Sequence, residues 1–300
     1  MSKEPFRGTY TVLVTPFTAD GSAVDLVALE RLVEFQITEG VRGLIPLGST
    51  GEFLSVSREE RVAIVETVVR TAAGRVPVLI GTGAEDTREV VALSREAERQ
   101  GADGVMIIPP YYSVPTEDEL FHHYKTVADA IGIPIMVYNN PATANVDLTP
   151  PIVERLSHID NCCYIKESTL EVTRVRDIID LCGDRMTVFA GILGYESFWL
   201  GAQGWVAVCS NLIPKMSARL FELVADDKNM DEALALYKKM LPIVKWVGGH
   251  RYVAASKDAL GMMGLAVGKP RAPRLPLPAS DAADLKRELD RLGLLNSIAR

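Results

Sequence analysis

The sequence predicts an α/β fold, a (β/α)8 TIM barrel with a C-terminal helical extension, on three observations. Eight short apolar runs alternate with amphipathic helical stretches through the first two-thirds of the chain. Each run is apolar almost throughout instead of alternating, as expected of strands buried on both faces of a parallel sheet. The 300 residues, 48% of them hydrophobic, supply enough chain for a barrel of about 250 residues and an appended segment.

In order, the expected strands fall at 10–14, 43–47, 76–80, 104–108, 133–138, 162–166, 187–190 and 205–209. Helical stretches at 25–39, 58–73, 87–100 and 117–131 lie between the earlier ones. Eight βα units in a row suit a closed barrel. The competing arrangement, an open doubly wound sheet, usually carries a Gly-rich turn after its first strand. Here that place reads Thr15-Pro16-Phe17. The Gly81-x-Gly83 pair after the third strand is a fragment of a dinucleotide fingerprint and reads as a tight turn.

After residue 209 the pattern changes. Stretches 214–226, 230–247 and 251–264 read as helices, and a segment with Pro270, Pro273, Pro276 and Pro278 leads to a last helix near Ser280. The expected organisation is a catalytic barrel over 1–225 and a helical extension over 226–300, packed on it as an appendage.

Charge and cysteine use exclude several classes. A net charge of −7 and a pI near 5.3 argue against nucleic acid or an anionic membrane, which call for a basic face. Cys162, Cys163, Cys182 and Cys209 form no C-x-x-C pair, and adjacent cysteines are poorly placed for a bridge. The N-terminus has no apolar signal-like core, and no run of about 18 apolar residues occurs. A soluble, cytoplasmic protein is the expectation. His122, His123, His158 and His250 lack metal-ligand spacing, so no metal is expected.

A barrel gathers its chemistry at the C-terminal ends of its strands, so the polar residues that close each apolar run are the candidates. The second run leads into Gly48-Ser49-Thr50-Gly51-Glu52, the fourth into Pro109-Pro110-Tyr111-Tyr112 and the fifth into Tyr138-Asn139-Asn140-Pro141. The sixth ends in Lys166-Glu167-Ser168 and the seventh in Gly191. Lys166 closes the run Cys162-Cys163-Tyr164-Ile165 and should enter the barrel mouth among apolar walls. Burial disfavours the charged form of an amine, and a neutral amine is what attack on a ketone requires. The competing reading is a snorkelling lysine with its head in water. Tyr138 ends the neighbouring strand, where its phenol can trade protons with a carbinolamine; the alternative is a core tyrosine with a satisfied hydroxyl. Gly48 to Gly51 offers two hydroxyls and backbone N–H groups ahead of a helix, a nest suited to a small carboxylate, or else a plain loop.

These residues resemble the dihydrodipicolinate synthase/N-acetylneuraminate lyase family of class I pyruvate-dependent aldolases. The resemblance rests on G-S-T-G-E (Gly48 to Glu52), P-Y-Y (Pro110 to Tyr112), Y-N-x-P (Tyr138 to Pro141), Y-I-K-E (Tyr164 to Glu167) and Gly191, in order and at barrel-strand spacing. It implies that Lys166 forms a Schiff base with pyruvate and that Tyr138 moves protons at the carbinolamine. It implies that Ser49 and Thr50 hold the pyruvate carboxylate, that Ser49 links Tyr138 to Tyr112, and that Tyr112 reaches into a neighbouring subunit's site. The backbone around Val206 would line the far side of the pyruvate. A homotetramer built from two tight dimers, with no metal or organic cofactor, is also implied.

The second-substrate positions depart from both named activities. Where the synthases carry an arginine, this chain has Thr143; where the sialic-acid lyases carry an acidic pair, it has Leu193 and Gly194. Ser168, two residues after the lysine, resembles the lyases, in which such a hydroxyl contacts a substrate hydroxyl. The leading expectation is therefore aldol cleavage, condensation or dehydration of a hydroxylated 2-oxo acid. Two alternatives stand beside it. One is 4-hydroxy-tetrahydrodipicolinate synthase, which joins pyruvate to aspartate semialdehyde, with the absence of an arginine at Thr143 counting against it. The other is a non-catalytic barrel that binds oxo acids.

Overall fold

The computed structural model describes residues 5–298. Eight parallel strands form one sheet in the order β2-β1-β8-β7-β6-β5-β4-β3. They are β1 (Gly8–Val12), β2 (Gly43–Ile45), β3 (Leu79–Gly81), β4 (Gly104–Ile107), β5 (Ile135–Asn139), β6 (Tyr164–Glu167), β7 (Thr187–Ala190) and β8 (Gly204–Ala207). The outer strands β2 and β3 meet through the parallel bridge between Leu44 and Val78, and that contact closes the barrel.

Eight helices follow the strands: α1 (Leu26–Thr38), α2 (Arg58–Ala72), α3 (Thr87–Arg99), α4 (Glu117–Ala128), α5 (Pro150–Leu156), α6 (Thr173–Cys182), α7 (Gly194–Trp199) and α8 (Pro214–Ala225). Local chemistry explains several of their starts. Ser57 and Glu60 form a reciprocal capping box on α2, and Thr116 and Glu119 form another on α4, each satisfying N–H groups that the first turn leaves open. Alternation along each strand splits the core in two. Tyr10, Val12, Ile45, Met136, Phe189 and Val206 fill the barrel interior, while a larger cluster lies between the strands and their helices.

Three helices lie beyond the eight units: α9 (Met230–Gly248), α10 (Tyr252–Met262) and α11 (Ala279–Arg291). The expected strand positions hold: β7 matches at both ends, and no other start or end is displaced by more than three residues. Late starts occur where an apolar residue sits in the loop before the strand: Val76 and Cys162 are apolar, yet pairing begins later, at Leu79 and Tyr164. The sequence cannot separate an apolar loop residue from a paired one.

Candidate active site

β5 and β6 set the centre of the site. Tyr138 and Lys166 are register partners across this pair, so both side chains point to the same side of the sheet, into the barrel. Lys166 is 5% exposed, and its Nζ lies 3.8 Å from the centroid of the Tyr138 ring. Asn140 Nδ2 donates to the Tyr138 hydroxyl at 2.9 Å. Burial by itself pushes this phenol up, but the Lys166 charge and hydrogen bonds with Asn140, Lys166 and Ser49 outweigh it. The net effect holds the phenol below the ordinary tyrosine range, which makes proton exchange with its surroundings easier.

The loop after β2 is held in an unusual conformation. Leu47 and Glu52, on either side of Gly48 to Gly51, both have left-handed backbone, with φ of 61° and 53°. Such a conformation costs a bulky residue about 1–3 kcal/mol and persists only where neighbours enforce it. The neighbours are close: a Cβ at Gly81 would sit 2.0 Å from the Leu47 carbonyl oxygen. Thr15 Oγ1 donates to the Gly51 carbonyl at 2.6 Å. This clamped turn presents Ser49 and Thr50 to the barrel mouth.

Ser49, Thr50, Tyr138, Thr143, Lys166, Ser168 and Gly191 line one cavity of about 180 Å³. Gly191 is glycine for a steric reason, since a Cβ there would lie 1.7 Å from Ser168 Oγ. That hydroxyl is buried and has no hydrogen-bond partner among the described residues, so it is available to a ligand. Gly48, Val206 and Tyr112 are not in the wall. A Cβ at Gly48 would meet Val12 at 2.7 Å, which makes it a packing glycine. Val206 is wholly buried in the barrel interior, and its neighbours Trp205, Val208 and Cys209 line the cavity instead. Tyr112 is 85% exposed and lies outside its own chain's cavity.

The helical extension is more than an appendage. Val244, Val247 and Gly248 of α9 and Tyr252 of α10 complete the wall. Lys257 of α10 reaches Glu52, the last residue of the G-S-T-G-E turn, at 2.7 Å, with both side chains fully buried. The backbone N–H of Arg271 donates to the same carboxylate at 2.9 Å. Lys257 Nζ also lies 4.0 Å from the centroid of the Phe17 ring. Burial pushes Lys257 down to about 8 against the opposing pull of Glu52. Sequence reasoning missed this clamp because nothing in the strand-end pattern links residue 52 to residue 257.

Asn139 and Glu167, inside the Y-N-x-P and Y-I-K-E motifs, serve the scaffold. Asn139 Nδ2 donates to Glu167 at 3.0 Å, and Asn139 Oδ1 accepts from the Leu148 N–H at 3.0 Å. The first bond ties the ends of β5 and β6 together, and the second holds the chain before α5 against the end of β5. Among the described residues no group of three or more His, Cys, Asp or Glu side chains could hold a metal ion.

Residues 5–292 match the dihydrodipicolinate synthetase family along almost the whole chain. The chain belongs to that family. The 4-hydroxy-tetrahydrodipicolinate synthase of Nitrobacter hamburgensis is 38% identical, with 98% of this chain and 99% of that one aligned. The one from Sorangium cellulosum is 40% identical over 97% of this chain and 98% of its own. Among solved structures, the dihydrodipicolinate synthase of Acinetobacter baumannii complexed with pyruvate superposes with a TM-score of 0.93. It is 33% identical and covers 97% of this chain and 100% of that one. YagE of Escherichia coli K12, a prophage protein of the same family in complex with pyruvate, gives a TM-score of 0.91 at 33% identity, covering 96% and 99%. As a family member the protein is a class I, lysine Schiff-base lyase that acts on pyruvate-type 2-oxo acids. The non-catalytic alternative is set aside. Of the two enzymatic readings, the relatives favour the synthase over cleavage or dehydration of a hydroxylated acid.

Proposed function

We propose that the protein is a 4-hydroxy-tetrahydrodipicolinate synthase, condensing pyruvate with aspartate semialdehyde. The observation that carries the chemistry is the Lys166 and Tyr138 register pair at the barrel mouth. Lys166 Nζ attacks the pyruvate ketone, and Tyr138 passes the protons that let the carbinolamine lose water. The protonated imine acidifies C3, whose proton passes to Tyr138; the resulting enamine adds through C3 to the aldehyde carbon, and the aldehyde oxygen takes up a proton. Ser49 and Thr50 hold the pyruvate carboxylate. The choice of aldehyde rests on the relatives, whose curated names are those of synthases.

The same reading includes a catalytic barrel over 1–225 with its extension over 226–300, a cytoplasmic location and a homotetramer of two tight dimers. Four free thiols accord with a reducing compartment. The exposed Tyr112 ring accords with a neighbouring subunit that receives it.

A second reading, cleavage or dehydration of a hydroxylated 2-oxo acid, has one observation of its own: the Ser168 hydroxyl in the cavity wall, which has no partner among the described residues. A coupled assay separates the two. With pyruvate and aspartate semialdehyde, kcat/KM should exceed about 10⁴ M⁻¹s⁻¹. Turnover far below that value, together with pyruvate release from hydroxylated 2-oxo acids, would give the second reading the place of the first.

A further inference from the structure

Next to the main cavity lies a second one of about 120 Å³, which shares Ser49, Thr143 and Tyr252 with it. Arg274, from the segment between α10 and α11, stands in its wall. Tyr252 stands beside it in that wall and also lines the main cavity with Tyr138 and Lys166, so Arg274 borders the space next to the reacting pair.

The charge pattern singles this residue out. Three other cations of the extension that lie in α10 or its flanking segments are occupied: Arg251 pairs with Asp281, Lys257 with Glu52 and Arg271 with Glu60. Glu52 also borders the second cavity, but its carboxylate is engaged by Lys257 and by the Arg271 N–H. Arg274 makes no ion pair among the described residues, unlike those three cations. A half-buried guanidinium without a carboxylate partner beside a cavity presents a fork that fits a carboxylate by two charge-assisted bonds.

We propose that Arg274 receives a carboxylate of the second substrate, so that this enzyme takes aldehydes that carry an acid group. The inference rests on the Schiff-base reading above and adds to it the group that recognises the aldehyde. It places the recognising cation on the C-terminal segment, in a cavity that the neutral Thr143 also lines. Arg251, which pairs with Asp281 in a largely exposed contact, is not that cation.

The test uses the full chain, pyruvate, and two aldehydes: aspartate semialdehyde and an uncharged aldehyde of similar length. Arg274→Ala should lower kcat/KM for the charged aldehyde about a hundredfold, mainly through KM, and leave the uncharged one within about twofold. Arg274→Lys keeps charge and bulk but loses the fork, and a loss of about tenfold is expected for the charged aldehyde alone. Adding Thr143→Arg to Arg274→Ala should recover part of the loss. Equal losses for both aldehydes, or none for the charged one, in either Arg274 variant would overturn the assignment. Borohydride trapping of pyruvate, run on the same samples, keeps the two claims apart. Wild type that traps no pyruvate refutes the Schiff-base reading itself. Normal trapping with no aldehyde discrimination refutes only the role of Arg274.

Discussion

The two sides of the cavity are built by different physics. The strand side, with Tyr138 and Lys166, is positioned by backbone register: adjacent parallel strands leave these two side chains no choice of neighbour. The helical side, with Tyr252, Lys257 and Arg274, is positioned by side-chain contacts between segments some 200 residues apart in the chain, Glu52 to Lys257 and Arg271 N–H to Glu52. Register is insensitive to single side chains. A buried ion pair is not, because losing one partner strands the other charge in a poor solvent. Substitutions on the strand side should therefore damage chemistry and spare the fold, whereas substitutions in the clamp should damage the fold and through it the pyruvate site.

Tyr138→Phe is the larger of these effects. It removes the proton-transferring hydroxyl while the ring stays over Lys166, so kcat should fall by about 10²- to 10⁴-fold with the urea midpoint nearly unchanged. A large stability loss would erase the distinction between the two sides. Lys257→Met leaves Glu52 buried without its cation and should destabilise the protein by about 3–5 kcal/mol in urea unfolding. The double change Glu52→Leu with Lys257→Met should cost less than Lys257→Met alone, since it strands no charge. If the double change costs as much as the sum of both singles, the pair is not coupled.

The smallest effect is in pH. Burial lowers Lys257 from 10.5 to about 8, so between these values the unfolded chain holds the proton more tightly than the folded one. Stability from this group then rises with pH across that window and is least favourable below pH 8. The stability of wild type relative to Lys257→Met should accordingly improve from pH 8 to pH 10. A gap that shrinks over that range would show that burial does not dominate at Lys257.

The strand side was legible in the sequence for the reason that it is rigid. An unbroken apolar run such as 162–165 marks a doubly buried strand, and the first polar residue after it, Lys166, falls at the barrel mouth by geometry alone. Ser49, Thr50, Ser168 and Gly191 were found in the same way, at the ends of their strands. The backbone around Val206 was expected at the far side of the pyruvate; the Val206 side chain fills the barrel interior, and its neighbours Trp205, Val208 and Cys209 border the cavity. The helical side left no such trace. Tyr252 sits at the start of a helix and Arg274 in a proline-rich connection, and only the packing of α9 and α10 on the barrel brings them over the mouth.

The central claim, that Lys166 is the amine that carries the substrate, has one direct measurement. The enzyme is incubated with pyruvate, reduced with borohydride, digested and sequenced by mass spectrometry. The expected result is a stable pyruvate-derived adduct on Lys166 alone, formed in wild type and in Arg274→Ala and absent from Lys166→Met. An unmodified Lys166, or an adduct on Lys257 or any other lysine, would contradict it.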